Sequence, residues 1–151
     1  MLKSIDEVPD DILAERVLEL VVMPPEHIIA DGLANRKIES EALKGANKGA
    51  AEVHRRLLSH LSGDTLNPFR KVRVPYILEL PPEQLAQRTR KIVKRIPERI
   101  EHHQELAPVE HSVEAQAFHY GAEMAYFKIA EHLTGNNFQE EEQYLLWDLE
   151  G

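Results

Sequence analysis

Four of the chain's eight histidines fall in one short stretch, at His102, His103, His111 and His119, and carboxylates surround them at Glu101, Glu105, Glu110, Glu114 and Glu123. Imidazole beside carboxylate is the donor chemistry of zinc and non-haem iron sites. Spacing decides whether such groups converge. His111 and Glu114 are three apart and His119 and Glu123 four apart, so each pair shares one face of a helix. His111, Glu114, His119 and Glu123 are therefore the candidate metal ligands. Neither H-x-x-x-H nor the E-x-x-H spacing of di-iron bundles occurs. The expectation is a solvated face of His and Glu, with no metal and no cofactor.

A second group is electrostatic. Arg88, Arg90, Lys91, Lys94, Arg95 and Arg99 lie on the side of a helix opposite Leu85, Ile92, Val93 and Ile96, and Arg70, Lys71 and Arg73 precede them. Such a face can meet phosphates or an acidic protein surface. Charge is segregated along the chain. Residues 1–69 carry 8 basic and 12 acidic groups, residues 70–99 carry 9 and 3, and residues 100–151 carry 1 and 11. The net charge of −8 and the lack of a recognised nucleic-acid-binding motif favour an acidic protein partner, or the chain's own tail, over nucleic acid. That tail, 138–151, mixes acids with Tyr144, Leu145, Leu146, Trp147 and Leu149. Its adjacent acids Glu140, Glu141 and Glu142 point in different directions on a helix, whereas magnesium takes one or two carboxylates and substrate phosphates.

Catalytic signatures are missing. There is no G-x-S-x-G, no glycine-rich phosphate loop and no cysteine, so an enzyme is not expected. The absence of cysteine excludes disulfides and suits a reducing compartment. No apolar run is long enough to span a bilayer, and Met1–Glu7 lacks the apolar core of a signal peptide. A cytoplasmic location is the expectation.

The elements that position these groups follow from an internal repeat. Residues 4–64 slide by 72 positions onto 76–136 without a gap, and 16 of 61 positions are identical, against about four by chance. The matches include Pro9/Pro81, Leu13/Leu85, Arg16/Arg88, Pro25/Pro97, Glu26/Glu98, Gly49/Gly121, His60/His132 and Gly63/Gly135. Each unit begins with an extended piece and a proline-initiated helix, bearing Leu13, Val17, Leu20 and Val21 in one copy and Leu85, Ile92, Val93 and Ile96 in the other. Pro25 and Pro97 should end or kink these helices, because proline removes an interior hydrogen bond. Residues 26–39 and 98–111 read as a short turn and connection, with Glu26 and Glu98 at a helix start. A long helix follows near 40–62 and 112–134, closed by Gly63 and Gly135.

Glycine inside a helix costs about 1 kcal/mol relative to alanine, so Gly49 and Gly121 imply a close backbone approach at which the long helices cross. Arg16/Arg88 and Glu7/Glu79 are expected to tie the extended pieces to the first helices. The stretch Lys71–Leu80 has strand-like composition, but Pro75 limits it to an edge strand against residues 2–7.

The expected fold is all-α: a tandem duplication of a ~72-residue helical unit forming one pseudo-two-fold helical bundle with short extended connectors. Residues 1–72 form repeat 1, 73–144 repeat 2 and 138–151 an acidic apolar segment, around a single shared core. The expected function is a non-enzymatic protein-interaction module that regulates or scaffolds a larger partner. Its contacts would be Arg88, Lys91, Arg95 and Arg99 on the basic face, with Tyr144, Leu146 and Trp147 in the tail. A nucleic-acid-binding regulator using helix 88–99 is one alternative, and a metal- or small-ligand-binding bundle using 101–123 is another. No membrane contact is expected, and a homo-oligomer is compatible with the pattern.

Overall fold

The computed structural model describes residues 4–30, 40–63 and 74–135. In chain order come a 3₁₀ turn (Ile5–Glu7), α1 (Asp10–Val22), α2 (Pro25–Ile28), α3 (Ser40–Leu61), α4 (Val74–Leu78), α5 (Pro82–Leu106), a second 3₁₀ turn (Ala107–Val109) and α6 (Val113–Thr134). The fold is all-helical, and no strand occurs among the described residues.

Local chemistry explains most of the boundaries. Pro9 precedes α1 and Pro81 precedes α5, with Asp10, Asp11 and Glu83 in the first turns, where acids meet the positive end of the helix dipole. Ser112 caps α6 by accepting the Ala115 amide hydrogen at 3.0 Å. Gly63 and Gly135 follow α3 and α6 with φ of +84° and +73°, the left-handed conformation that glycine adopts without strain.

Three expectations are corrected. Pro25 begins α2, but Pro97 lies inside the unbroken α5. Pro24 accounts for the first outcome, since the residue before a proline is pushed out of the helical region and Met23 is extended. Around Pro97, Val93, Ile96 and Ile100 are all buried, so one apolar face continues through the proline and packing outweighs the lost hydrogen bond. Residues 98–106 are therefore helix rather than connection, and Glu98 sits in mid-helix while Glu26 sits in the first turn of α2.

The second correction concerns 71–80. Residues 71–73 lie outside the described residues, and Val74–Leu78 is one helical turn, as Ile5–Glu7 is a 3₁₀ turn. No strand pairing joins the described parts. Ile5 and Ile77 are fully buried while Tyr76 and Leu78 stay exposed, so each turn drives in one isoleucine instead of alternating faces. Pro75, unable to serve a ladder, is tolerated in the first turn of a helix.

The third concerns the shared arginines. Arg16 Nη1 donates to the Leu133 carbonyl at 3.1 Å, and Arg88 Nη1 donates to the Leu61 carbonyl at 2.5 Å. Each guanidinium packs against the glycine that ends the same helix, Arg16 at Gly135 and Arg88 at Gly63. The last carbonyls of a helix have no partner within it, and a multi-donor guanidinium supplies one.

The most extensive contact is between α3 and α6. Gly45 meets Glu114 and Ala117, and Gly49 meets Phe118 and Ala122, so the two helices advance in the same direction past each other. A Cβ on Gly49 would overlap the Phe118 carbonyl oxygen and stand 2.8 Å from the Ala122 nitrogen. A Cβ on Gly121 would overlap the Ala46 carbonyl oxygen and stand 2.7 Å from its carbonyl carbon. The buried apolar residues form one cluster drawn from α1 through α6, including Leu13, Val17, Leu57, Ile77, Leu85 and Ile129.

Backbone cannot rotate aside as a side chain can. Gly121→Ala is therefore expected to lower stability by about 2 kcal/mol despite alanine's higher helix propensity. Urea unfolding checks this through a lower midpoint at unchanged slope.

Candidate functional site

The six basic residues of α5 divide into two sets. Arg88 closes the end of α3. Arg90 pairs with Asp10 at 2.7 Å and donates to the Val8 carbonyl at 2.8 Å, and Lys94 pairs with Asp6 at 3.1 Å. These three cations hold the N-terminal segment and a helix end. Lys91 and Arg95 are exposed and Arg99 is half-buried, and none of the three makes an ion pair with a described residue.

Arg95 and Arg99 face a narrow slot between α3, α5 and α6. From α3 it receives Arg56 and His60, and its floor is Val53, Leu57, Ile92, Ile96 and Ile129 with the ring of Tyr126. The accessible cavity is about 20 Å³, room for one water or a small part of an apolar side chain. Its mouth carries three guanidinium groups. Arg56 donates to Glu52 at 3.2 Å, and Glu52 also accepts from Arg55 at 2.5 Å, so one carboxylate serves two arginines. Burial raises the Glu52 carboxyl, and the two guanidinium groups reverse this and leave its pKa lowered. At His60, burial and then Arg95, Arg99 and Arg56 all lower the pKa. That imidazole therefore stands neutral in a positive field. Tyr126 is raised, chiefly by burial.

Sequence reasoning found Arg95 and Arg99 but missed Arg56 and His60. Both pairs are four apart, so each lies on one helix face. Nothing local says that these two faces meet.

The histidine-rich stretch also gathers differently from its expected pairs. His119 is buried, its Nε2 lies 3.2 Å from Glu110 Oε1, and its Nδ1 lies 2.8 Å from His103 Nδ1. A carboxylate only accepts, so His119 carries hydrogen on Nε2. Which ring donates in the Nδ1–Nδ1 bond follows from the tautomers of the two imidazoles. His103 is driven down to about 4 by burial first, then by the charges of His119, His102, Arg56 and Arg99. Glu114 is drawn to Lys48 at 2.6 Å, His111 is exposed, and Glu123 lies partly buried on α6. The four candidate ligands are thus not brought together. Among the described residues, no three His, Asp or Glu side chains are grouped as a metal site requires. His103 and Glu110, the partners His119 does use, sit sixteen and nine residues away from it.

Tyr144, Leu146 and Trp147 lie outside the described residues, as do Arg70, Lys71 and Arg73. Among the described residues, no helix is long and apolar enough to cross a membrane. No family model, curated protein or solved structure matches the chain.

His103 makes stability depend on pH in a stated direction. Its folded pKa lies below the unfolded value near 6.5, so its contribution is complete above pH 6.5 and is lost as pH falls toward 4. The unfolding midpoint in urea should decline between pH 7 and pH 4.5, and His103→Gln should flatten that decline. An equal decline in both proteins would show that His103 does not set it.

Proposed function

We propose that this protein is a non-enzymatic interaction module that docks an acidic protein partner on the slot between α3 and α5. The observation that carries this reading is the convergence of Arg56, Arg95 and Arg99 on His60 over an apolar floor. Like charges held together in a partly enclosed site repel, and a carboxylate-bearing partner offsets that repulsion. The apolar floor adds a seat for one side chain between the partner's acids.

The reading extends to how the surface arose. We propose that the chain is a tandem duplication of a ~72-residue unit with pseudo-two-fold symmetry. Hydrogen bonds that recur at the offset of 72 support it. Glu7 donates to the Ser4 carbonyl and Glu79 to Tyr76, Leu13 donates to Pro9 and Leu85 to Pro81, and the Arg16–Leu133 bond mirrors Arg88–Leu61.

The positions related to the slot by the offset of 72 then serve as an internal control. Arg95 and Arg99 correspond to Met23 and His27, Arg56 to Lys128 and His60 to His132. There, Lys128 pairs with Glu131 at 3.6 Å, and His132 Nε2 lies 3.1 Å from Glu19, close enough for charge pairing though not aligned as a hydrogen bond. The lysine at these positions is compensated by Glu131, whereas the slot carries a surplus of guanidinium groups. Met23 and His27 stand at the offset positions, so the repeat itself does not call for a cation at 95 or 99.

Capture from source-cell lysate tests the proposal. A stoichiometric, nuclease-resistant protein partner should be lost from the Arg95→Glu/Arg99→Glu variant at least tenfold, while the Met23→Glu variant keeps it. Binding that persists in the double variant would sink the slot as the docking surface. Material released by nuclease, with binding that falls steeply with salt, would favour nucleic acid instead.

A further inference from the structure

The chain carries its own candidate ligand for this slot. We propose that residues 140–150 fold back on the Arg56/Arg95/Arg99 slot and compete there with the external partner, an inference that rests on the docking role given to the slot above.

Charge complementarity is the first argument. Residues 136–151 hold Glu140, Glu141, Glu142, Asp148 and Glu150 and no basic residue. Opposite in sign is the surface where Lys91, Arg95 and Arg99 have no ion pair with a described residue and Arg56 shares its carboxylate with Arg55. The order of residues is the second. Acids flank an apolar centre, Tyr144-Leu145-Leu146-Trp147, as arginines flank an apolar floor. In the proposed fold-back, the tip of one aliphatic side chain, Leu145 or Leu146, sits in the cavity of about 20 Å³, which has no room for the Trp147 indole.

Reach is the third. α6 itself lines the slot through Tyr126 and Ile129. Gly135 is six residues beyond Ile129, about 9 Å along the helix. Five more residues lead to Glu140, up to about 17 Å of extended chain. The tether places the segment at an effective concentration on the order of millimolar, so weak contacts suffice for occupancy. A partner must then displace it, and the apparent affinity falls by the fraction of time the slot is filled.

Trp147 is the only tryptophan in the chain, so its fluorescence reports this segment alone. Acrylamide quenching of the intact protein is compared with that of a synthetic peptide of residues 138–151. In the intact protein the quenching constant should be at least twofold below that of the peptide, and it should rise toward the peptide's value in 0.5 M salt. Arg95→Glu/Arg99→Glu, shown by circular dichroism to remain helical, should remove the shielding, while Met23→Glu leaves it. Should the double variant misfold, the salt titration of the wild-type protein and the single variant Leu146→Asp carry the test.

Quenching equal to the peptide's, or shielding indifferent to salt and to charge reversal, overturns the proposal. Shielding that disappears on dilution overturns the fold-back and assigns the slot to the tail of a second copy. The two readings fail separately. A partner lost on charge reversal while Trp147 stays unshielded sinks the fold-back alone. Trp147 shielding lost on charge reversal, with no partner captured, sinks the docking role alone.

Discussion

Where α3 meets α6, the carbonyl oxygens of Phe118 and Ala46 occupy the space in which a side chain at Gly49 or Gly121 would begin. Backbone against backbone at this distance leaves one relative placement of the two long helices, because no rotamer change can relieve a shift. Other features follow from it. His119 sits one residue past Phe118 and so faces α5 at His103. Tyr126 and Ile129, about two to three turns further along, are set beside Val53 and Leu57, and together they form the floor on which α5 lays Ile92 and Ile96. The arginines at the slot are thus positioned by glycines several turns away.

The charge on α5 shows how composition and role can diverge. Six cations on one helix read as one face, yet Arg88, Arg90 and Lys94 are consumed by Leu61, Asp10, Val8 and Asp6. What remains, Lys91, Arg95 and Arg99, follows a four-residue spacing and forms a narrower stripe. Only beside Arg56 and His60 does that stripe become a site.

Much of the fold was legible because its signals are local. Proline followed by acid marks the starts of α1 and α5, the apolar stripe through Leu13, Val17 and Leu20 is buried, and Gly63 and Gly135 close the long helices. The failures share one cause, tertiary packing that overrides a local signal. Pro97 reads as a break until Ile96 and Ile100 are seen buried on either side. Pro75 and its β-branched neighbours read as a strand until Ile77 is seen buried between exposed Tyr76 and Leu78. Arg88 reads as a surface cation until a distant helix end needs a donor. His119 pairs with His103 and Glu110 across a helix boundary, which no helical spacing announces.

The two arginine bonds also bear on how the chain is held together. Arg16 reaches residue 133 and Arg88 reaches residue 61, so each crosses the stretch between α3 and α4 from opposite sides. The α3–α6 seam and the Arg90–Asp10 pair span the same stretch. A cut between residues 63 and 74 would sever the peptide link and none of these contacts. The loop-closure entropy that this link contributes grows only slowly with its length. Across the described residues, the two sides of this link are thus also held to each other by a helix seam and by charged side chains.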